Sequence, residues 1–417
     1  MTKVWNGGYQ RSPEQVPTPH EVFPCTILMP MDVTVHSFAK INLGLCIGAL
    51  RADGFHELRT VYQTIGAHDV ICVQISAGTG IEIRCSNPRV PNDQSNTCYQ
   101  IAERAMHALE VPGKVIIDID KRLPVQGGLG GASSNAVAVL WALERSLQKS
   151  LPGPEKLRIA AEVGSDLPLF LIGGTVLGVG RGEEVYPLLD LPPTNCVVAT
   201  PEIAVSTPKA FADWDLMTAP PINIPTVPIQ DQPAGDVAKA VYFHGRLRKP
   251  AAQVGSTTLS QDSQPNANAA VGVNVGAKLT PRAPSDRMLE FSRAVSASLS
   301  VSSQGKIKSG KRLSGVSAGK SRGRAETPLL DLVRAGIEND FERVVFSQYP
   351  ELRDVKGVLE GAGAHYASLS GSGSAIYGLF RSRAAAEKCA ATLVKEGVPA
   401  QATHTLTREQ YWKRIFD

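Results

Sequence analysis

The stretch KVIIDIDKRLPVQGGLGGASSNAVAVLWALERSL, residues 114–147, decides the fold. It opens with β-branched side chains, which are typical of a strand, and it closes with apolar side chains at helical spacing. The glycines between them leave the backbone without Cβ atoms, so its amides can approach a polyphosphate closely. A strand, a glycine loop and a helix in this order predict an anion site at the helix start, where unpaired amides and the positive end of the helix dipole lie.

A glycine loop at a helix start can also be no more than a tight turn. The loop alone leaves that structural role and phosphate binding about equally open. A dinucleotide site of the Rossmann type is disfavoured, because the spacing is not G-x-G-x-x-G and no acidic partner of the dinucleotide type is evident.

Two charged residues in apolar surroundings add to the pattern. Lys40 lies within the apolar strand segment SFAKINL, and Asp166 stands just ahead of the apolar segment PLFLIGG. Burying an unpaired ammonium is costly, so Lys40 needs an anionic partner. Taken singly, Lys40 could instead be a solvated edge-strand lysine and Asp166 a helix cap.

Hydrophobic patterning divides the chain into two folded and two irregular regions. Strand and helix signals predict a first domain over 33–201. A second domain, with helices over a short antiparallel sheet, is predicted over 202–217 and 326–417. Residues 1–32 are expected to be a disordered extension. Residues 218–325, rich in Pro, Ser, Gly, Asn and Gln without periodicity, are expected to be a disordered insertion.

Composition and charge disfavour several classes of partner. The 417 residues, 43% of them apolar, suffice for two packed domains. Lys and Arg number 43 against 39 Asp and Glu, a net charge of +4. That excess is too small to indicate a nucleic-acid or membrane partner for the whole chain. It is concentrated in residues 292–325, where a solvated loop is favoured over an anion-binding segment.

The cysteines and the apolar runs indicate the cellular compartment in which the protein is expected. The seven cysteines include no C-x-x-C pair, which favours free thiols in a reducing cytoplasm. No apolar run approaches the roughly 20 residues that span a membrane, and the first thirty residues lack the apolar core of a secretory signal. A soluble, cytoplasmic protein is expected.

Four segments occur in the order that is typical of a known superfamily. They are AKINL at 39–43, LPVQGGLGGASS at 123–134, GSDLP at 164–168 and LSGSGSAIYGLF at 369–380. This set resembles the GHMP kinases, the superfamily of galactokinase, homoserine kinase, mevalonate kinase and phosphomevalonate kinase. The segment RADGFHELRTVYQTI at 51–65 resembles, more narrowly, the 4-diphosphocytidyl-2-C-methyl-D-erythritol kinase family.

The resemblance implies a fold and a reaction. The fold would be α+β in two domains, an N-terminal ribosomal-protein-S5-like mixed domain and a C-terminal ferredoxin-like domain, with the active site between them. The reaction would be ATP-dependent phosphorylation of the 2-hydroxyl of 4-diphosphocytidyl-2-C-methyl-D-erythritol, in non-mevalonate isoprenoid synthesis. ATP as co-substrate and Mg²⁺ are implied, and the chain would be a monomer or homodimer.

The resemblance also implies roles for particular residues. Lys40 and Asp166 match the catalytic lysine and aspartate, which would converge beside the nucleotide. Asn42, Phe55 and His56 are the expected substrate-binding residues, the last two at the cytidine. The expected ATP-binding residues are Pro124, Gly127, Gly128, Leu129, Gly130, Gly131, Ala132, Ser133 and Ser134. No residue is assigned as a metal ligand.

Three positions depart from the family pattern. Phe55 stands where tyrosine is usual, which should cost a hydrogen bond at most, because stacking needs only an aromatic face. Ala132 replaces a glycine and therefore tests whether this position requires a positive φ. Asn135 replaces an aspartate, which weakens any assignment of a loop carboxylate to a metal.

Two other functions remain open at this point. A GHMP-type kinase for another small acceptor, such as homoserine or mevalonate, would not need the DGFH segment, since it has no cytidine to hold. A non-catalytic nucleotide-binding paralogue, engaging a partner through the basic insertion, would not need Lys40 and Asp166.

Overall fold

The computed structural model describes residues 32–219 and 338–417. The extension predicted at 1–32 lies outside these residues except for its last position. The insertion predicted at 218–325 lies outside them except for its first two positions, so both predictions remain untested.

The strands and helices are numbered in chain order. The strands are β1 (Val33–Leu50), β2 (His56–Ser76), β3 (Gly80–Cys85), β4 (Lys114–Asp120), β5 (Thr175–Val179), β6 (Glu184–Pro187), β7 (Asn195–Ala199), β8 (Tyr366–Leu369), β9 (Ile376–Phe380) and β10 (Ala400–His404). The helices are α1 (Thr97–Leu109), α2 (Gly131–Leu147), α3 (Gly153–Val163), α4 (Leu167–Phe170), α5 (Thr207–Thr218), α6 (Phe341–Gln348), α7 (Pro350–Gly361), α8 (Arg383–Lys395) and α9 (Arg408–Arg414).

The first sheet is built around the long strand β2. β1 runs antiparallel along one edge of β2, while β4 and β5 pair with different halves of its other edge. β3 lies parallel beside β4, and β6 lies antiparallel beside β5. One face of the sheet packs against apolar residues of α1 to α4. The predicted strand, glycine loop and helix are therefore confirmed as β4, the loop and α2.

The second sheet has the strand order β10-β7-β9-β8, and every neighbouring pair is antiparallel. Helices separate β7 from β8 and β9 from β10, which gives the β-α-β-β-α-β sequence of a ferredoxin-like domain. Alternate residues of β9 face opposite sides, as the strand period of two requires. Ile376 and Phe380 pack on the helices, and Tyr377 and Leu379 pack towards the first sheet.

The faces of the two sheets that do not carry helices bury one another. Ile41 and Leu43 of β1 pack in one apolar cluster with Val198 of β7 and Tyr377 of β9, and all four are fully buried. The Tyr377 hydroxyl donates to the Asn42 carbonyl at 2.7 Å. This contact fixes β1 against the second domain, so residues near Lys40 lie beside the domain boundary.

Two segments pack with elements on the other side of the predicted domain limits, which stay predictions. The limit at residue 201 assigned β7 to the first domain, but β7 pairs with β9 and β10 in the second sheet. The end of the chain was assigned to the second domain, yet Leu406, Tyr411 and Ile415 are buried in the first domain's core. In both cases the partners are distant in sequence, and local patterning does not reveal which sheet a segment joins.

Two expectations about thiols and membranes can be compared with the described residues. Within the described residues no two cysteines form a disulfide, while Cys25 lies outside. Within the same ranges, no helix has the length and apolar character needed to cross a membrane.

Candidate active site

Two cavities meet at the glycine loop, residues 123–131. The first, the loop cavity, has a volume of about 330 Å³ and lies between this loop and the starts of α1 and α2. The second, the cleft cavity, has a volume of about 660 Å³ and lies between the loop, β1, β2 and α5. Gly128 and Gly130 line both cavities. Groups bound in the two cavities would therefore meet at these glycines.

All but one of the residues predicted to bind ATP line the loop cavity. Those that line it are Pro124, Gly127, Gly128, Leu129, Gly130, Gly131, Ala132 and Ser133. Ser134 is buried instead, and its hydroxyl donates to the Phe38 carbonyl and accepts from Ser37 Oγ, each at 2.7 Å. Ser134 thus ties α2 to β1 rather than facing the cavity.

Two glycines give the loop its shape. Gly128 and Gly130 have φ angles of +81° and +69°, a region that favours glycine. A Cβ on Gly130 would lie 2.9 Å from Phe170 Cζ and 3.0 Å from Lys40 Cγ. Gly130 also begins α2 without any side-chain cap, so the first amides of the helix are left to an anion.

The departures at Ala132 and Asn135 are accommodated by the helix. Ala132 lies in the first turn of α2 and does not have a positive φ, so no glycine is required there. Asn135 is buried and accepts a hydrogen bond from Ser37 Oγ at 2.6 Å. Asn135 therefore acts in packing the helix against β1.

Irregular pairing of β1 with β2 positions Lys40 and Asn42. The register shifts just before Lys40 and just after Asn42, and such bulges change where side chains point. Lys40 is only 3% exposed, and its Nζ donates to Asn42 Oδ1 at 2.7 Å. Asn42 in turn donates to Thr60 Oγ1 at 2.7 Å. This chain of hydrogen bonds holds the Lys40 ammonium at the junction of the two cavities.

Asp166 provides the negative charge at the same place. It directly precedes α4, and its Oδ2 lies 3.4 Å from Lys40 Nζ. Its Oδ1 accepts a hydrogen bond from the Tyr62 hydroxyl at 3.0 Å. Burial raises the pKa of the Tyr62 hydroxyl well above its usual range, and the nearby Asp166 carboxylate raises it further. Tyr62 therefore remains a protonated donor to Asp166.

A turn of the second domain closes the junction from the other side. Ser370 Oγ donates to the Gly128 carbonyl at 3.0 Å, and the Ala375 amide donates to the Gly127 carbonyl at 3.0 Å. Asn339 holds this turn by donating to the carbonyls of Leu369 and Gly371 at 2.9 and 2.8 Å. The shape of the glycine loop thus depends on both domains.

The far end of the cleft cavity is aromatic. Phe55 is 52% exposed there, and the Arg181 guanidinium lies 5.1 Å from its ring centre. The His56 ring stacks on Phe211 of α5, with the ring centres 5.2 Å apart and the planes 6° from parallel. All four side chains line the cavity. A flat aromatic group could therefore be held here, six residues along β2 from Tyr62, which contacts Asp166.

Protein side chains alone do not build a metal site in this part of the chain. Across 32–219 and 338–417, no three His, Cys, Asp or Glu side chains are grouped so as to hold a metal ion. A cation at the junction would need most of its oxygen ligands from a bound molecule.

Reasoning from the sequence missed several residues of the cleft cavity. They are Tyr62, Arg181, Phe211 and Asp215. Tyr62 had a usable signal, since it lies six residues from the predicted His56 on β2 and an even spacing places both on the same side of a strand. Phe211 and Asp215, on α5, had none, because nothing local indicates that this helix covers the cavity.

Comparisons with known proteins agree with this architecture. The family model of the GHMP kinases N terminal domain matches residues 96–174, and that of the GHMP kinases C terminal matches residues 325–399. A crystal structure of 4-(cytidine 5'-diphospho)-2C-methyl-D-erythritol kinase superposes with a TM-score of 0.55 at 24% identity, covering 89% of this chain and 98% of that one. At this identity the likeness shows the fold alone.

Relatives match along most of the chain. The 4-diphosphocytidyl-2-C-methyl-D-erythritol kinase of Solibacter usitatus is 32% identical over 349 residues, which is 84% of this chain and 81% of the relative. The protein of the same name from Chlorobium phaeovibrioides is 31% identical over 372 residues, which is 89% of this chain and 95% of the relative. This chain therefore belongs to the 4-diphosphocytidyl-2-C-methyl-D-erythritol kinase family of the GHMP kinases.

Proposed function

We propose that this protein transfers the γ-phosphoryl group of ATP to the 2-hydroxyl of 4-diphosphocytidyl-2-C-methyl-D-erythritol, a step of non-mevalonate isoprenoid synthesis in the cytoplasm. The observation that carries the proposal is the meeting of Lys40 and Asp166, 3.4 Å apart, where the loop cavity joins the cleft cavity. A phosphate donor in one cavity and an alcohol in the other would react at that point.

The loop cavity suits the polyphosphate of ATP. The glycine loop presents backbone without side chains, and the uncapped start of α2 adds amides and the positive end of its dipole. The eight predicted residues that line this cavity, from Pro124 to Ser133, are the proposed ATP contacts. Ser134 would support them through its bonds to β1 without touching the nucleotide.

Asp166 would orient the acceptor hydroxyl and accept its proton. Carboxylates are weak bases, with an ordinary pKa of about 3.9 for aspartate. In phosphoryl transfer this is sufficient, because the transition state is loose and proton removal can follow bond breaking. The bond that forms joins the 2-oxygen to the γ-phosphorus. The bond that breaks joins that phosphorus to the β–γ bridging oxygen, and ADP leaves.

Lys40 would balance the negative charge of the phosphoryl group during its transfer. Its ammonium is already buried and directed to the junction by Asn42, so it needs little reorganisation when the phosphoryl group arrives. Tyr62 holds Asp166 through the carboxylate oxygen that does not face Lys40 Nζ at 3.4 Å. The two contacts together fix the orientation of the base.

The oxygen donors at the junction fit a magnesium ion bound mainly by the nucleotide. Mg²⁺ usually takes only one or two protein ligands and draws the rest from phosphates and water. The Ser133 hydroxyl, which lines the loop cavity, and the Asp166 carboxylate, which lines the cleft cavity, are suitable donors. When bound, the ion would neutralise part of the phosphate charge.

The aromatic end of the cleft cavity supports a cytidine-bearing acceptor. A pyrimidine ring could stack on Phe55 or Phe211 beside His56, and its diphosphate would then pass Arg181 on the way to Asp166. His56 lies six residues along β2 from Tyr62, the partner of Asp166, which is about 20 Å of strand and longer than homoserine or mevalonate. A kinase for either acceptor would leave the aromatic end without a role.

Coupled measurement of ADP release separates the possible functions. The wild type and Asp166→Ala would each be assayed with 4-diphosphocytidyl-2-C-methyl-D-erythritol, homoserine and mevalonate, and ATP binding would be measured separately. We expect turnover only with the cytidylylated acceptor, and its loss in Asp166→Ala with ATP still bound. Faster turnover of another acceptor would contradict the proposed substrate. ATP binding without turnover in the wild type would indicate a non-catalytic paralogue.

A further inference from the structure

Asp69 is a completely buried carboxylate at the point where the pairing of β2 with β4 ends. The last pair of that ladder joins Val70 to Asp120. Beyond it, the amides of Arg122 and Leu123 each donate to Asp69 Oδ1 at 2.7 Å. The carboxylate therefore replaces the strand ladder and holds the backbone that leads from β4 into the glycine loop.

The other oxygen of Asp69 binds a cation. Lys121 Nζ donates to Asp69 Oδ2 at 2.6 Å, and the lysine side chain is only 5% exposed. Removing two charges from water costs free energy, and an apolar pair of similar volume is often at least as stable. Stability alone is therefore a weak explanation for this ion pair. Fixing one arrangement of the chain is a second role that such pairs can have.

The arrangement that Asp69 fixes lies against the start of α2. A Cβ on Gly131 would lie 3.2 Å from Lys121 Nζ and 3.5 Å from Leu123 Cδ1. Lys121 also lines the loop cavity. Segment 121–123 thus supports the first residue of a helix whose first amides have no side-chain cap. A shift of this segment would move the amides that the proposed function assigns to the polyphosphate.

We propose that Asp69 is a positioning residue for the nucleotide. By holding Lys121 and the amides of Arg122 and Leu123, it fixes the glycine loop and the start of α2 in the conformation that binds ATP. This inference rests on the proposed function, which assigns the loop cavity to ATP. Asp69 lines neither cavity, so it acts through the loop and does not touch the nucleotide.

The sign of the effect on ATP affinity separates positioning from charge. If Asp69 acted only through its negative charge, its removal would leave Lys121 as an unbalanced cation at the loop cavity, and the polyphosphate would bind more tightly. If Asp69 positions the loop, its removal releases the two backbone amides, and the polyphosphate binds more weakly. Only the second result agrees with the proposal.

The test measures the dissociation constant of ATP by calorimetry in the full chain, together with kcat and KM for the cytidylylated acceptor. Asp69→Ala removes all three bonds, and we expect ATP to bind about tenfold more weakly, which corresponds to about 1.4 kcal/mol. The KM for the acceptor should not change, because Asp69 does not line the cleft cavity.

Asp69→Asn is the conservative variant. It keeps an oxygen for the two backbone amides but places its amino group against the Lys121 ammonium. Its ATP affinity should lie between those of the wild type and Asp69→Ala. Since Asp69→Asn keeps the side-chain volume, the test does not depend on the folding of Asp69→Ala alone.

Glu144→Ala is the matched control, because Glu144 is a buried carboxylate with the same kinds of partner. It accepts from the Leu151 amide at 2.6 Å and from Lys156 Nζ at 2.8 Å. Glu144 lies about 20 Å along α2 from Gly131 and lines neither cavity. Glu144→Ala should lower the midpoint of urea denaturation about as much as Asp69→Ala, but it should leave the ATP affinity unchanged.

The outcomes distinguish the inference from the proposed function. Weaker ATP binding in both Asp69 variants, with unchanged KM for the acceptor and unchanged ATP affinity in Glu144→Ala, supports the positioning role. Unchanged or tighter ATP binding in folded Asp69 variants, or an equal loss in Glu144→Ala, overturns this role. The function still stands in that case if the wild type turns over the cytidylylated acceptor. A wild type that does not bind ATP overturns the proposed function and this role together.

Discussion

Lys40 Nζ lies 3.4 Å from Asp166 Oδ2, with the ammonium almost completely buried and the carboxylate 33% exposed. A buried ammonium is tolerated only when it is paired and hydrogen-bonded. Lys40 meets this requirement through Asn42 and Asp166 before any ligand arrives. The free energy cost of burying the Lys40 ammonium is thus offset within the folded chain. The positive charge is therefore already in position when a phosphoryl group binds.

The hydroxyl of Tyr62 should matter for catalysis through Asp166. We expect Tyr62→Phe to lower kcat about tenfold with a smaller change in KM, because it removes a hydrogen bond to a charged group. Since the Tyr62 pKa is raised, its hydroxyl stays protonated at the ordinary tyrosine pKa of about 10. Deprotonation of Tyr62 should therefore not lower the wild-type rate near pH 10. Any loss of rate at that pH should be the same in the wild type and in Tyr62→Phe.

Tyr186→Phe is the control for this change. Tyr186 lies on β6, is 52% exposed and does not line the cleft cavity. It should behave as the wild type. Equal effects of the two substitutions, or a change in KM alone for Tyr62→Phe, would show that Tyr62 does not act on the base.

The conformation of Gly130 should be essential. Gly130→Ala places a side chain at a φ of +69° and against Phe170 and Lys40. We expect the free energy of unfolding to fall by about 1–3 kcal/mol and kcat to fall at least about tenfold, since roughly 1.4 kcal/mol of lost transition-state stabilisation has that effect. Chemical denaturation and steady-state kinetics would measure the two effects.

Ala132→Gly provides the opposite substitution two residues along. Because Ala132 is helical, the glycine should lower the free energy of unfolding by about 0.5–1 kcal/mol and leave kcat within about twofold of the wild type, a change in barrier below 0.5 kcal/mol. A gain in activity would mean that the family's usual glycine is needed at this position after all.

Arg181 should bind the substrate rather than act on the transferred group. Arg181→Ala is expected to raise KM for the cytidylylated acceptor about tenfold with little change in kcat, because a guanidinium contact to a diphosphate is worth roughly 1.5–3 kcal/mol. Arg158→Ala, which removes an arginine from an ion pair on α3, should change neither constant. A fall in kcat at unchanged KM would place Arg181 at the reacting group instead.

Two histidines should make the fold less stable in mild acid. Burial lowers the pKa of His36, as does His68, and burial together with Arg414 lowers the pKa of His404. Below their ordinary pKa of about 6.5 the unfolded chain therefore binds more protons than the folded one. The contribution of these two histidines to the free energy of unfolding should be constant above about pH 7.5. It should decrease as the pH falls through 6.5.

Denaturation of His404→Gln at several pH values tests that expectation. Glutamine can still accept from Arg414, which contacts His404 Nε2 at 2.9 Å, but it does not titrate. The decrease between pH 7.5 and 5.5 should be smaller in the variant than in the wild type. An identical decrease would assign the acid sensitivity to other groups.

Local sequence patterns were sufficient to predict the segments that form the candidate active site. A short stretch of sequence is enough to recognise each of three features: the glycine loop, the lysine within an apolar strand and the aspartate before an apolar segment. The convergence of Lys40 and Asp166 was expected from the resemblance and is confirmed by their distance. The catalytic roles of both residues stay predictions.

Features that depend on distant partners were not predictable in this way. The assignment of β7 to the second sheet depends on β9 and β10, which lie far along the chain. Ser134 looked like a loop residue, and only its contacts with Ser37 and Phe38 show that it faces the protein interior. Asp215 is an ordinary helical aspartate in the sequence, and its proximity to His56 exists only in the folded chain.

The most direct test of the central claim is the single-turnover rate of Asp166→Asn at saturating ATP and acceptor, with the dissociation constant of ATP measured in parallel. If Asp166 orients the hydroxyl and accepts its proton beside Lys40, the rate should fall by about 10²–10⁴-fold while ATP binding remains close to the wild type. A rate near that of the wild type, with both ligands bound, would contradict the assignment of the reaction to this pair of residues.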